Sequence, residues 1–244
     1  MSVAKLKNAP LKEVIFELHW GGTIENNLID EGFDLAQGKF ADMLKDTYPV
    51  RKRLIPENSP VKIFGVPLHQ YWKGEFQWPV IQHGQGILAI NEVESGYEWE
   101  KNFKPTALRT LEILQASYEE PIIFNRAKLQ YIDAYEIVGI EPNKFMELNL
   151  LTSIQTKYPL PGIAKNFNIF QSFELKDGSE LQLNIATGLN SQSQQPSLIW
   201  TTTVEKVNKF KDGEIVEWLE NAHNATSNMF KQMLNPEFYA SLDR

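Results

Sequence analysis

The stretch VIQHGQGILAINEV, residues 80–93, decides how the rest of the chain is read. Gly84 and Gly86 follow an apolar run and His83 stands beside them, so the segment imitates the start of a phosphate-binding loop. A dinucleotide loop needs its glycines between a strand and a helix, so that the helix N-terminus faces the pyrophosphate. Here strand-like runs lie on both sides, and the third glycine of that motif is missing. The glycines instead permit a tight reversal with positive φ. The stretch reads as a β-hairpin, and the best-looking catalytic motif in the chain goes with that reading.

Around this hairpin the pattern is one of strands with few helices. VKIFGVPLHQYW (61–72), EFQWPVIQ (75–82) and GILAINEV (86–93) are strand-like runs, with Pro67 and Pro79 suited to edges or bulges. Upstream, LKEVIFELHW (11–20) alternates apolar and polar residues as a half-buried strand does. FDLAQGKFADMLKDTY (33–48) and KPTALRTLEILQASY (104–118) carry apolar stripes at helical spacing, and Pro105 suits a first turn. The second part repeats the order. AKLQYIDAYEIVGI (127–140) reads as a strand and NKFMELNLLTSI (143–154) as a short helix or strand. NFNIFQSFEL (166–175) and SELQLNIAT (179–187) flank Asp177-Gly178, a strong turn signal. PSLIWTTTVEKV (196–207) is a third strand, and EIVEWLENAHNATSNMFKQML (214–234) a long final helix.

Each part therefore runs strand, helix, three strands, helix. The fold class is α+β: two twisted antiparallel sheets with helices packed on one face. The halves, 1–140 and 141–244, pack as one compact unit, and the shared order suggests a duplication without residue-level identity. The polar stretch NSQSQQPS (190–197) is a flexible loop inside the second half. The final helix buries Trp218, and the tail NPEFYASLDR is expected to fold back over an edge as an accessory.

Composition removes several function classes. The chain of 244 residues has no cysteine, which excludes disulfides, thiolate metal sites and cysteine nucleophiles and suits a reducing cytoplasm. The N-terminus lacks the apolar core and cleavage site of a signal peptide, and no run of eighteen apolar residues suggests a membrane span. Net charge is −7, spread over both halves, whereas a duplex-binding protein shows a basic stripe. The one dense basic cluster, VRKRL (50–54), reads as a solvated loop, so nucleic acid is not an expected partner.

The candidate sites are few. His19, His69, His83 and His223 form no metal-binding spacing, and the chain shows no nucleophile elbow, Walker loop or S-x-x-K arrangement. Neither catalytic residues, metal nor cofactor are assigned. Glu17, His19 and His69 are weighed as a metal constellation and read instead as a strand-surface pair with a separate histidine. Glu98 and Glu100 fit a solvated loop. Tyr131, Asp133 and Tyr135 share one strand face, which reads first as a satisfied polar position beside core tyrosines and otherwise as the lining of a pocket or partner interface; the pocket candidates are Trp99, Tyr131, Asp133 and His223. Tyr71, Trp72, Phe76 and Trp78 are more aromatics than one hairpin normally buries; they fit equally a partner-binding surface or the closed end of a barrel-like sheet, and they are the partner-binding candidates.

Several stretches together carry a resemblance: NAPLKEVIFEL, GQGILAIN followed by YEWEKNF and a helix, LQYIDAY, and HNATSNMFKQML. On these the chain resembles a sporadically distributed, uncharacterised family of full-length bacterial proteins with no established activity. That family commonly has Arg and Asn where this chain has Gln130 and Asp133. The resemblance implies mobile genes of the kind found in antiviral defence, toxin–antitoxin or phage-related systems. The expected function is that of a non-catalytic cytoplasmic protein acting by protein–protein binding, with a neighbouring gene encoding the partner. The alternative is a small-molecule-binding sensor or enzyme with a cleft between sheet and helices.

Overall fold

The structure, a computed structural model, describes residues 6–243 apart from 25–26, 57–62, 153, 155–156, 160, 163–165, 191–192 and 212. In chain order it contains β1 (Leu11–Trp20), β2 (Gly22–Ile24), β3 (Asn27–Ile29), α1 (Phe33–Leu44), β4 (Val50–Arg53), β5 (His69–Trp72), β6 (Val80–Gly84) and β7 (Ile87–Val93). A π-helical turn (Trp99–Phe103) then runs into α2 (Lys104–Ser117). β8 (Phe124–Glu136), α3 (Pro142–Asn149), β9 (Asn168–Glu174), β10 (Glu180–Leu189) and β11 (Pro196–Val207) follow, and α4 (Glu214–Met233) and α5 (Pro236–Ser241) close the chain. No helix among the described residues is long and apolar enough to cross a membrane.

The fold is α+β. The strands expected in two sheets lie in one antiparallel sheet of nine, ordered β4-β5-β6-β7-β1-β8-β11-β10-β9, with β2 and β3 pairing separately. The opening strands of the two halves, β1 and β8, are hydrogen-bonded neighbours, and this joins what the sequence pattern separates. Two compact units are interleaved along the chain. One comprises residues 14–129 and 205–220, the other 1–13, 130–204 and 221–244.

In the first of these, the hairpin read from HGQG is present: β6 and β7 pair from Val80↔Asn91 to Gly84↔Ile87 around Gln85 and Gly86. Both glycines are dictated by close approach. Gly86 has φ +70, and a Cβ there would meet the Phe64 ring at 2.4 Å; a Cβ at Gly84 would lie 2.1 Å from the Val66 carbonyl oxygen. The inner face of this unit's strands carries Phe16, Leu18, Trp20, Tyr71, Ile81, His83, Leu88 and Ile90, all buried. Phe40 of α1 packs on Tyr71 and His83, its ring centroids 5.5 and 4.5 Å from theirs. Trp218 is buried here as expected, edge-on to Phe210 at 5.9 Å.

VRKR (50–53), read from sequence as a loop, is instead β4, the strand at one end of the sheet order. Its charges suit an edge, because exposed backbone groups there would otherwise pair with other chains. Of the run 61–72 only His69–Trp72 is strand; residues 61–62 lie outside the described residues, and Gly65 and Leu68 instead hydrogen-bond back to Gln85 and His83.

The second unit has its own core: Ile137, Phe145, Met146, Leu183, Ile185, Leu198, Trp200, Met233 and Leu234. The β9–β10 hairpin around Gly178 (φ +76) pairs Glu180 with Glu174, as the Asp-Gly signal implies. The tail differs from expectation. It forms α5, whose Asn235 caps the helix by accepting from the Glu237 N–H at 3.0 Å. Phe238 and Leu242 are buried members of the core, because the two apolar residues four apart project from one side of this short helix. The tail is thus a structural anchor and not an accessory. Residues 191–192 of the polar loop and 153 of the run 143–154 lie outside the described residues; the rest of that run gives α3 over Pro142–Asn149.

Candidate functional site

The four aromatics of residues 71–78 divide between core and surface. β5 alternates, so His69 and Tyr71 face α1 while Gln70 and Trp72 face away from it. Tyr71 is 1% exposed and belongs to the core. Trp72 lies on the other face, where Trp78 (5.3 Å between centroids) and Phe76 (6.1 Å) meet it edge-on. The connection between β5 and β6 reverses at Gly74, whose carbonyl accepts from the Gln77 N–H at 3.2 Å, and continues through a cis Trp78-Pro79 bond.

Phe76 is the outlier at this tip. It sits in the left-handed region at φ +57, and its side chain is 66% exposed. A non-glycine residue in that region costs on the order of 1–2 kcal/mol. Exposure of a phenyl ring returns none of that through burial. Lys52 of β4 stands over the Phe76 ring with its Nζ 3.6 Å from the centroid and 5.7 Å from that of Trp72. The register Val50↔Trp72 and Lys52↔Gln70 puts Lys52 on this face, while Arg51 and Arg53 project to the other side of the edge. The tip therefore presents one exposed ring, Phe76, against the buried Trp72 and beside the cation Lys52, on a chain whose net charge is negative.

On the α1-facing side of the same strands lies a polar feature that the sequence pattern did not reveal. His69 and His83 are directly opposite in the β5–β6 register. The Arg51 Nη2 approaches the His69 Nε2 to 2.7 Å. His83 is fully buried among Trp20, Phe33 and Phe40, and neither ring nitrogen has a hydrogen-bond partner among the described residues. Burial drives its pKa down to about 3, with the charges of His69 and Arg51 adding to the effect. Burial, then Arg51 and Arg53, holds His69 at about 4. Both rings are neutral near pH 7. His19 and Glu17 lie on the opposite strand face, 2.6 Å apart, with Lys128 2.8 Å from Glu17, so His69 is not part of their set. Burial raises the Glu17 carboxyl, but hydrogen bonds from His19 and Lys128 and the Lys128 charge outweigh it and hold the group at about 2.

The pocket candidates also divide. Trp99 is buried in the π-helical turn of the first unit, its ring 5.9 Å from that of Phe103. Tyr131, Asp133 and His223 belong to the second. There the Tyr131 hydroxyl lies 2.9 Å from the His223 Nδ1 of α4. Ile137 N–H donates to the Pro196 carbonyl at 2.7 Å and Gln130 to the Thr203 hydroxyl at 3.1 Å, a register that sets Asp133 across from Trp200. Asp133 is 5% exposed, and no hydrogen bond from a described residue reaches its carboxylate. Burial lifts its pKa to about 7 although Lys12 pulls the other way. The Trp200 Nε1 and Thr202 Oγ1, on the same face, are buried without a partner among the described residues. Asp133 shares its strand face with Tyr131, two residues away, whose hydroxyl meets the His223 imidazole. Among the described residues no three His, Asp or Glu side chains group as a metal site.

No protein-family model matches the chain, and neither does any curated protein or solved structure.

Proposed function

We propose that this is a non-catalytic protein that works by binding a partner protein, and that the aromatic tip of the β5–β6 connection makes the contact. The observation that carries the reading is Phe76: a large apolar side chain held in a strained backbone conformation, exposed, and set edge-on to Trp72 with Lys52 above it. Strained residues that surrounding structure does not need concentrate at functional positions. Aromatic residues ringed by near-neutral contacts dominate binding energy at protein interfaces. Lys52 puts a positive charge beside the exposed ring, so the matching partner surface carries an acidic group there, despite the chain's own charge of −7.

The resemblance to a sporadically distributed bacterial family supports a partner encoded beside this gene, within a cytoplasmic defence or toxin–antitoxin module. The order of strand, helix, further strands and helix in both halves supports an origin by duplication, with four strands after α1 against three after α3. Co-expression of the tagged protein with its neighbouring gene products, purified after nuclease treatment, is the test. A stoichiometric protein partner that survives the nuclease supports the reading. Loss of the partner on nuclease treatment would transfer the tip to single-stranded nucleic acid, whose bases also stack on exposed rings beside cations. No partner at all would remove the reading.

A second reading, a small-molecule sensor or enzyme, draws on Tyr131, Asp133 and His223. A buried carboxyl shifted toward neutrality, on the same strand face as a tyrosine that meets a histidine, is the kind of arrangement that functional sites maintain. A thermal-shift screen against metabolites and nucleotides tests it: ligands that bind the folded state raise its melting temperature.

A further inference from the structure

The unit of residues 14–129 and 205–220 contains a cleft of about 510 Å³, distinct from the aromatic tip. That volume lies within the range of small-molecule pockets. Its floor is built on Asp30, a residue 8% exposed at the entry to α1. The Asp30 Oδ2 accepts three hydrogen bonds: from the Trp20 Nε1 at 2.9 Å, the Tyr118 hydroxyl at 2.6 Å and the Gly86 N–H at 3.1 Å. Three donors on one oxygen fix the orientation of the carboxyl group. Burial and its bond to Asp30 raise the Tyr118 pKa far above the ordinary phenol value, so the hydroxyl keeps its proton and donates it to Oδ2.

The other oxygen, Oδ1, receives no hydrogen bond from any described residue. Gly32 leaves the space beside it open: a Cβ there would lie 3.9 Å from that oxygen and only 2.7 Å from the Tyr118 ring. A carboxylate that served only to tie Trp20, Tyr118 and the hairpin together would need Oδ2 alone. The walls add two further properties. Leu35 and Ile123, both exposed, supply apolar surface, and Tyr118 and Trp20 meet edge-on at 6.0 Å between centroids. Glu31, Glu119 and Glu120 make the rim negative on balance, although Lys39 stands 3.6 Å from Glu119 and Lys209 also lines the cleft.

The geometry points to a binding site for a small organic amine, with its ammonium on the Asp30 Oδ1 and its apolar body against Leu35 and Ile123. Anions are repelled by the rim. A metal ion is not the fit, because no three carboxylate or imidazole groups converge among the described residues. An ammonium supplies hydrogen-bond donors to the one oxygen left without any, and aromatic faces nearby favour a cation further. The site is independent of the partner-binding tip, so either proposal can fail without the other.

Isothermal titration of the full chain with phenethylamine, and with the isosteric neutral phenethyl alcohol, tests it. Saturable one-to-one binding of the amine and none of the alcohol is expected. Asp30→Asn should weaken the amine roughly ten- to hundredfold, the usual effect of losing a charged hydrogen-bond partner. Because Asp30 also holds three donors, Leu35→Lys provides a variant that spares that network; it places a cation at the mouth from an exposed position. It should weaken the amine about tenfold with an unchanged melting temperature. Failure of the amine to bind at millimolar concentration would overturn the proposal. So would equal binding of the alcohol, or amine binding unaffected by Leu35→Lys.

Discussion

Replacing Asp133 by asparagine should stabilise the protein, and by an amount that depends on pH in a defined direction. In the folded chain the carboxyl has a pKa of about 7, against an ordinary value of 3.8. Between these values the native state keeps a proton that the unfolded state has lost, so stability falls as pH rises through the window from about 4 to 7 and levels off above it. About three pKa units at 1.36 kcal/mol each make the ionised, buried carboxylate roughly 4 kcal/mol unfavourable at pH 8. The asparagine variant keeps the shape and lacks the ionisation. Urea unfolding of both proteins from pH 4 to 8.5 gives the difference in stability at each pH, and the other titrating groups cancel in that difference. The variant should equal the parent near pH 4 and exceed it by a few kcal/mol at pH 8. A difference that stays flat with pH, or a variant less stable than the parent at pH 8, would refute the assignment of Asp133 as an unpaired buried acid.

His83 works in the opposite direction. Its depressed pKa means that the unfolded state takes up a proton first, so stability is lost as pH falls below about 6.5, by up to roughly 1.4 kcal/mol per pH unit down to about 3. His83→Phe removes that term and two unsatisfied nitrogens, and circular dichroism during acid titration should show its unfolding midpoint at lower pH than the parent's. An unmoved midpoint would mean that acid sensitivity lies elsewhere. In the C-terminal tail, Phe238 contacts both Tyr135 and Phe145. Phe238→Ala should therefore cost about 3–5 kcal/mol in urea unfolding, the same range as Trp218→Ala. A tail variant that unfolds like the parent would return α5 to the accessory role expected from sequence.

How much of this was legible depends on which interactions set each feature. The 80–93 hairpin could be read because its glycines sit at a reversal between two apolar runs, and the 177–178 turn because Asp-Gly is a local signal. The single sheet could not, since nothing in the sequence of LKEVIFELHW says that its neighbour is β8. VRKR was misread for a similar reason: charges signal solvent, and an edge strand shares that signal with a loop. NPEFYASLDR carries only six helical residues, too few for an apolar period to show, and its burial comes from Tyr135 and Phe145 far away in sequence. Among the site residues, Phe76 and Trp78 stood out by aromatic density, and Tyr131, Asp133 and His223 do come within one unit. Tyr71 carried the same signal as Trp72, one position away, and only strand alternation separates them. Asp30 had no local signal, because its donors come from positions 20, 86 and 118.

The central claim, that the aromatic tip binds a partner protein, rests most directly on one comparison. The dissociation constant of the purified complex is measured by titration calorimetry for the parent, for Phe76→Ala, and for Leu148→Ala as an exposed apolar control in the other unit. Removal of a hot-spot aromatic weakens binding by 2 kcal/mol or more, so Phe76→Ala should raise the constant roughly thirtyfold or more with an unchanged melting temperature, and Leu148→Ala should leave it alone. Equal affinities for the parent and Phe76→Ala would contradict the claim.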